Sequence, residues 1–469
     1  MESRSTRLVR VVMPAVLFGA VLAALVHGAA RAINNPDTYF HLRFGHEFAD
    51  GWSLTDPGSV SSFATAEWVP TQWLPQVLMA SLENGWGLAG VAFLGGVQAI
   101  VLATVVYVAT RQRADALVAA TVTIVVIVTS WQFLSVRPQV LSYAFAAAAV
   151  GLWAHAHRAG TAPWLVLPLT WLWAMWHGMW PVALSIGLVG VAAAALERRG
   201  WTSIARQAAV VLGCVIAGAV TPVGPKLYRA VLGVGERAPF FSEWGPTDFI
   251  SVPGIGVLVL LAPAFLVLLR STHENGWLDI LTLGLAAGWA LYSARTVPVA
   301  AAIAAPVVAA TLQRGIGPRA PWKRFEAAAL LATTAAAVLG LGALASVRAD
   351  EAPSQPGWVD RELRGLPAGT PLLNHWNTGG YVMWRYPDLD LVMHGYGDTF
   401  TIAELERNRD LLEVQPGWDD LARETGARHA LLPPDSPLAY ALVHQTGWTV
   451  KHTSEHVEFL VAPPDWPAE

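Results

Sequence analysis

The sequence predicts an α-helical polytopic membrane protein of about eleven transmembrane helices, followed by a C-terminal extracytoplasmic α/β domain. Three observations carry that expectation. Hydrophobic residues make up 54% of the chain and charged ones only 14%, with a mean hydropathy of +0.43; a soluble domain is nearer a quarter charged. Several apolar runs exceed the roughly 18 to 20 residues that cross a bilayer. From about residue 347 onward, strand-like and helix-like stretches alternate, as in a small α/β fold. The expected partition is a membrane domain over 1–346, with a first extracytoplasmic loop at 33–86, and a soluble domain over 347–469.

The first apolar run, residues 11–32, follows Arg4, Arg7 and Arg10. Its length and the lack of a small-residue cleavage site mark it as a retained span with a cytoplasmic N-terminus. Further spans centre near residues 98, 125, 148, 170, 188, 214, 261, 284, 303 and 335. That count takes 162–178 and 180–196, hinged at Gly178 and Pro181, as two spans, and likewise 277–293 and 296–312. Basic residues set the orientation. Inside loops hold Arg111, Arg113, Arg158, Arg198, Arg199, Arg206, Arg270, Arg314, Arg319, Lys323 and Arg324; outside segments hold Arg31, Arg43, Arg137, Lys226, Arg229, Arg237 and Arg295. This asymmetry fits the positive-inside rule, and an odd number of spans places the tail outside the cell membrane.

The outside segments hold the candidate chemistry. Pro36 limits the backbone before Asp37, so a helix is expected to begin there, with His41 one turn later on the same face. A carboxylate beside an imidazole suits acid–base work. Trp68, Trp73, Leu74, Val77, Leu78 and Leu82 then recur at helical spacing, which makes the loop two interfacial helices. Arg137 stands in Ser135-Val-Arg-Pro, His177 in a tryptophan-rich segment, Lys226 and Arg229 after Thr221-Pro-Val-Gly, and Arg295 before Pro298. Glu243 and Asp248 end the loop that Lys226 opens. Headgroup snorkelling accounts for any one of these cations, but their gathering on one face points to a shared wet cavity or an anion.

In the tail, Pro371–His375, Asp390–His394 and His429–Leu432 read as strands, Pro437–Gln445 as a helix, and Trp448–Lys451 with Glu458–Val461 as a closing hairpin. Asn377-Thr-Gly-Gly380 reads as a turn before a helix that starts at Tyr381. Asn374, His375, Tyr381, Arg385, His394 and Asp398 are residues for a cleft, with solvated turn residues as the plainer reading.

Other classes fall away. A net charge of −4 without a basic tract gives no sign of nucleic-acid binding. The single cysteine, Cys214, excludes an intrachain disulfide and a Cys-based metal site, and it reads as a packing residue. Neither a Gly-x-Ser-x-Gly elbow, a Walker loop nor a His-Glu-x-x-His helix is present, and His155-Ala-His157 reads as solvated loop.

The chain resembles the GT-C superfamily of membrane glycosyltransferases, in particular a bacterial group whose first loop reads Asp-Pro-Asp-x-x-x-His-Leu. Here that stretch is Asn35-Pro-Asp-Thr-Tyr-Phe-His-Leu42. The resemblance continues in Glu67-Trp-Val-Pro-Thr-Gln-Trp-Leu74, Arg137-Pro-Gln139, Trp176-His-Gly178, Thr221-Pro-Val-Gly224, Glu243-Trp244, Arg295-Thr-Val-Pro298 and Asn374-His-Trp-Asn-Thr-Gly-Gly-Tyr381. It implies a polyprenyl-phosphate or polyprenyl-diphosphate sugar as donor, with Asp37 and His41 in the catalytic roles. Arg137, His177, Arg295, Lys226 and Arg229 are then expected on the donor phosphate, and Glu243 and Asp248 on the acceptor. Many GT-C members carry adjacent acids where this chain has Asn35-Pro-Asp37, so a divalent metal lacks its paired-acid motif and the cofactor stays unknown. The competing reading is a non-catalytic transporter of lipid-linked glycans or a cell-envelope assembly protein; a ligase moving whole glycans shares the same geometry.

Overall fold

The computed structural model describes residues 12–270, 276–349 and 356–466; Arg4, Arg7 and Arg10 lie outside them. The chain divides into two units, one of residues 1–31, 86–231 and 241–350, the other of residues 32–85, 232–240 and 351–469.

The first unit is helical. It contains α1 (Met13–Ala29), the second part of α3 (Trp73–Arg111), α4 (Ala116–Ser130), α5 (Gln139–Ala159), α6 (Val166–Trp176), α7 (Val182–Leu196), α8 (Trp201–Ala219), α10 (Val252–Arg270), α11 (Trp277–Tyr292), α12 (Val297–Ile316) and α13 (Arg324–Arg348). Among the described residues, seven helices are long and apolar enough to cross a bilayer, and four more apolar helices run 10–17 residues. Each expected span centre falls inside one of these helices. Alanine-rich α12 is the axis: 94% of its apolar stretch is buried, against 6% for α13. Its neighbours are α11, α10, α4 and α5. Small side chains let helices approach where water supplies no driving force. At Gly190 of α7 a Cβ would overlap the Trp153 ring of α5.

Breaks in the helices follow the sequence. Gly87 has φ +60, a conformation that favours glycine, and it kinks α3. The α6–α7 hinge is His177, whose extended backbone stops one helix before Pro181 starts the next. Cys214 is buried and accepts from Thr170 Oγ1 at 3.3 Å, so it is a packing residue. His155 and His157, expected in a solvated loop, are in α5; His157 is buried with Nε2 2.9 Å from a Glu197 carboxylate oxygen. At the end of α3, fully buried Arg111 donates to Glu326 at 2.8 Å and to the carbonyls of Ala114, Ala320 and Pro321. A buried guanidinium is tolerable only when its donors are satisfied in this way.

The second unit is a three-layer sandwich on a five-stranded sheet. The strands are β1 (Pro371–Asn374), β2 (Asp390–Leu391), β3 (His429–Leu432), β4 (Thr449–Thr453) and β5 (Glu458–Val461), in spatial order β2-β1-β3-β5-β4. β2, β1 and β3 are parallel, whereas β5 and β4 add an antiparallel edge. Alternate residues point to opposite faces. Leu373, Ala430, Leu432 and Leu460 meet the helices α16 (Ile402–Leu412), α17 (Trp418–Glu424) and α18 (Pro437–Thr446). Leu372, Leu431 and Phe459 face the other way, toward α14 (Gly357–Arg364), α15 (Trp376–Arg385) and α2 (Pro36–Ala49).

α2 comes from the expected first loop. Phe40, Phe44 and Phe48, four residues apart, form the apolar stripe that closes this face of the sheet. Both helices expected in this loop are present, one as α2 and the other as the first part of α3, but the second starts later than its tryptophan spacing suggests. α2 is a layer of the sandwich, and Trp68 is not helical: Pro70 follows it, α3 begins at Trp73, and the Trp68 ring packs 5.1 Å from Phe44 with Nε1 donating to Gly58 O at 3.0 Å. The same loop covers the β2 edge, where Ser61 Oγ donates to Leu391 O at 2.6 Å and Ser62 N to the Asp390 carboxylate at 2.9 Å. An open strand edge invites mispairing, and this contact removes it.

The expected turn at Asn377–Gly380 is also corrected. α15 already starts at Trp376, capped by His375 Nδ1 accepting from Asn377 N at 3.2 Å. The two glycines allow close approach instead: a Cβ at Gly379 would lie 2.6 Å from Met393 O, and one at Gly380 would overlap Pro36 O of α2.

Candidate functional site

The expected site residues fall into two groups, one in each unit. In the sheet-bearing unit, Asn35 caps α2 by accepting from Asp37 N at 2.9 Å, and Pro36 fills the first helical position, where no N–H donor is needed. Asp37 is half-buried in the first turn, where the positive helix end favours a carboxylate. Its Oδ1 lies beside Gly395, where a Cβ would stand 3.4 Å away. His41 follows one turn later but is buried, and the Gln76 amide donates to its Nδ1 at 3.0 Å. That bond orients the ring and places the N–H of the neutral imidazole on Nε2.

Aromatic rings wall this region. Tyr396 packs 5.1 Å from Phe40 and 4.9 Å from Phe44. Tyr39 donates to Ile33 O at 2.6 Å and lies 5.3 Å from the Tyr381 ring and 5.0 Å from that of Trp384. Trp384 Nε1 donates to Glu83 at 2.8 Å, and the other Glu83 oxygen pairs with His46 Nε2 at 2.7 Å. Gln76, Glu83 and Tyr396 were not picked out from the sequence, because only the fold brings them to residues 37–46.

Of the cleft residues expected in the tail, Asn374, His375 and His394 hold backbone instead. Asn374 is fully buried, donating to Met393 O at 2.6 Å and accepting from Met393 N at 3.3 Å, and so continues the sheet past β2. His394 is fully buried as well. Arg385 is 3.7 Å from Asp360 at the surface.

In the helical unit, three residues meet. Arg137, in the α4–α5 connection, donates to one Glu243 oxygen at 2.8 Å, and Arg295, before α12, pairs with the other at 3.3 Å. Each arginine is held separately. Arg137 Nε donates to Ser135 Oγ at 2.9 Å, and neighbouring Pro138 O accepts from Trp176 Nε1 at 3.0 Å. The Arg295 guanidinium stacks 5.2 Å from the Trp244 ring, a cation–π contact. Glu243 stands on a single 3-10 turn, Ser242–Trp244, which is tied to the Arg295 turn by Ala294 N donating to Gly245 O at 3.0 Å. Burial alone would raise the Glu243 pKa, but the positive charges of Arg295 and Arg137 outweigh it and hold the carboxyl below its ordinary value.

The other expected residues sit apart in role. His177 is buried at the α6–α7 hinge, its Nδ1 accepting from Met179 N at 3.3 Å. Lys226 and Arg229 are exposed on the first turn of α9 (Lys226–Arg237). Asp248 is exposed and accepts from Ile250 N at 2.9 Å, a turn that leads into α10. Among the described residues, no group of three or more His, Cys, Asp or Glu side chains is placed to hold a metal ion.

A bundle of apolar helices together with a unit that combines the first connecting segment and an α/β tail defines a polytopic membrane protein with the GT-C fold. The apo oligosaccharyltransferase of Archaeoglobus fulgidus shares it, with a TM-score of 0.58 at 13% identity over 92% of this chain and 70% of that one. AglB from the same organism, in complex with an inhibitory peptide and a dolichol-phosphate, gives 0.56 at 11% identity over 96% and 75%. ArnT from Cupriavidus metallidurans bound to undecaprenyl phosphate gives 0.54 at 14% identity over 96% and 99%. At these identities the likeness is one of fold. No protein-family model and no curated protein sequence matches the chain.

Proposed function

We propose that this chain is a glycosyltransferase of the cell membrane that moves a sugar from a polyprenyl-phosphate-linked donor to an acceptor on the extracytoplasmic face. The observation that carries the reading is the convergence of Arg137 and Arg295 on one carboxylate, in a fold whose solved examples hold dolichol-phosphate and undecaprenyl phosphate. Guanidinium forks match phosphate oxygens, and a phosphate leaving group gains negative charge as its bond to the sugar breaks. In this mechanism Asp37 takes the proton of the acceptor hydroxyl, with His41 beside it. The acceptor oxygen bonds to the anomeric carbon, the carbon–oxygen bond to the lipid phosphate breaks, and the lipid phosphate leaves with that electron pair. His177, Lys226 and Arg229 are assigned to the donor phosphate and Asp248 to the acceptor.

The test is sugar transfer in membranes carrying wild type or Asp37→Asn at matched expression, with radiolabelled polyprenyl-phosphate sugars. Loss of a general base costs about 10²–10⁴-fold in rate, and that is the expected fall. Activity unchanged by the substitution removes Asp37 from the role. The burial of His41 and its bond to Gln76 also fit a non-catalytic carrier or assembly protein on the same fold. On that second reading Asp37→Asn leaves movement of the lipid-linked glycan intact.

A further inference from the structure

We infer that Glu243 is a built-in stand-in for the donor's phosphate: its carboxylate takes the guanidinium positions that a phosphate would use, so donor and Glu243 compete for the same two arginines. The inference rests on the donor reading above and assigns Glu243 a role different from the acceptor contact expected of it.

The geometry supports competition over support. A carboxylate with one oxygen on Arg137 at 2.8 Å and the other on Arg295 at 3.3 Å spans them as two oxygens of a phosphate would. The acid is the most exposed of the three. The Glu243 side chain is 35% exposed, whereas those of Arg137 and Arg295 are 7% and 22% exposed. Arg137 is also tied to Ser135, and Arg295 lies against Trp244, so both keep a position without the acid. The backbone bond between Gly245 and Ala294 keeps the turn in place while the Glu243 side chain rotates away. Two arginines left close together without an anion repel each other, which an internal carboxylate relieves. A phosphate, with up to two negative charges, is the stronger partner for both.

Binding of undecaprenyl phosphate to the purified full-length protein tests this. A site open in only a tenth of the molecules binds about tenfold more weakly than one always open, so Glu243→Gln is expected to tighten binding by about tenfold. Glu243→Asp, which keeps the charge but shortens the reach, should fall between Glu243→Gln and wild type and guards against a folding artefact. Arg137→Gln should weaken binding by a similar factor, and undecaprenol, which lacks the phosphate, should be indifferent to all three. Weaker or unchanged binding by Glu243→Gln, with Arg137→Gln still weakened, overturns the stand-in and leaves the donor reading in place. Failure of wild type and every variant to bind the lipid phosphate removes the donor reading and this inference together.

Discussion

His394 sets a residue-scale condition on stability. Its ring is fully buried, with Phe400 4.7 Å away, Nδ1 accepting from Tyr396 N at 3.3 Å and, among the described residues, no partner on Nε2. Burial depresses its pKa from 6.5 to about 3, because an imidazolium there would be stripped of its hydration. Below the ordinary imidazole value the unfolded chain therefore binds a proton that the folded chain does not. This neutral ring costs no stability above pH 6.5, and stability falls by about 1.4 kcal/mol per pH unit as pH drops from 6.5 toward 3. Unfolding midpoints at pH 7, 6, 5 and 4 should show that slope in wild type and lose it in His394→Asn. Equal slopes in the two proteins would assign the acid sensitivity elsewhere. Gly380 sets a second condition, since its Cα approaches the α2 backbone at Pro36. Gly380→Ala is expected to cost about 1–3 kcal/mol from overpacking, read as a lowered melting temperature, whereas Gly369→Ala, where no atom lies within 4 Å of the added Cβ but φ is +75, loses only the smaller strain of its turn.

At the scale of elements, α2 shows what the sequence made legible. Pro36 marked its start, and Asp37 and His41 do share it, while the Asn35 cap came only with the fold. The stripe of Phe40, Phe44 and Phe48 emerged only with the fold: its partner, around Leu372 and Leu431, lies more than 300 positions later, and local periodicity carries no information about such a pairing. Trp68 misled for a different reason, as its spacing to Trp73 and Val77 imitates a helix that Pro70 interrupts. The arginines were legible as outliers to the sorting rule, yet their shared partner Glu243 was not, because three loops had to be folded before charge could be matched. Phe44 is fully buried between Trp68 and Tyr396, so Phe44→Ala should destabilise the sheet-bearing unit by about 3–5 kcal/mol, with Phe44→Leu costing much less. Denaturant midpoints of the two variants decide it, and equal effects would mean that the stripe is not packed as described.

At the scale of the molecule, the tail does not own all of its core. A fragment of residues 351–469 alone would present Leu372, Leu391, Leu431 and Phe459 without the phenylalanine stripe that covers them. It is expected to bind a hydrophobic dye and to lack a cooperative melt, whereas the same fragment joined by a linker to residues 32–85 should melt cooperatively; a sharp transition in the tail alone would refute this. The arrangement also imposes an order of events during synthesis. The chain emits α2 first and β1 more than 300 residues later, which at about 5–20 residues per second is a wait of some tens of seconds. Throughout that interval the stripe of Phe40, Phe44 and Phe48 has been made and its sheet has not. The newborn protein therefore needs a temporary cover for three aromatic rings, and a chaperone or the bilayer surface is as much a requirement of this architecture as the helices themselves.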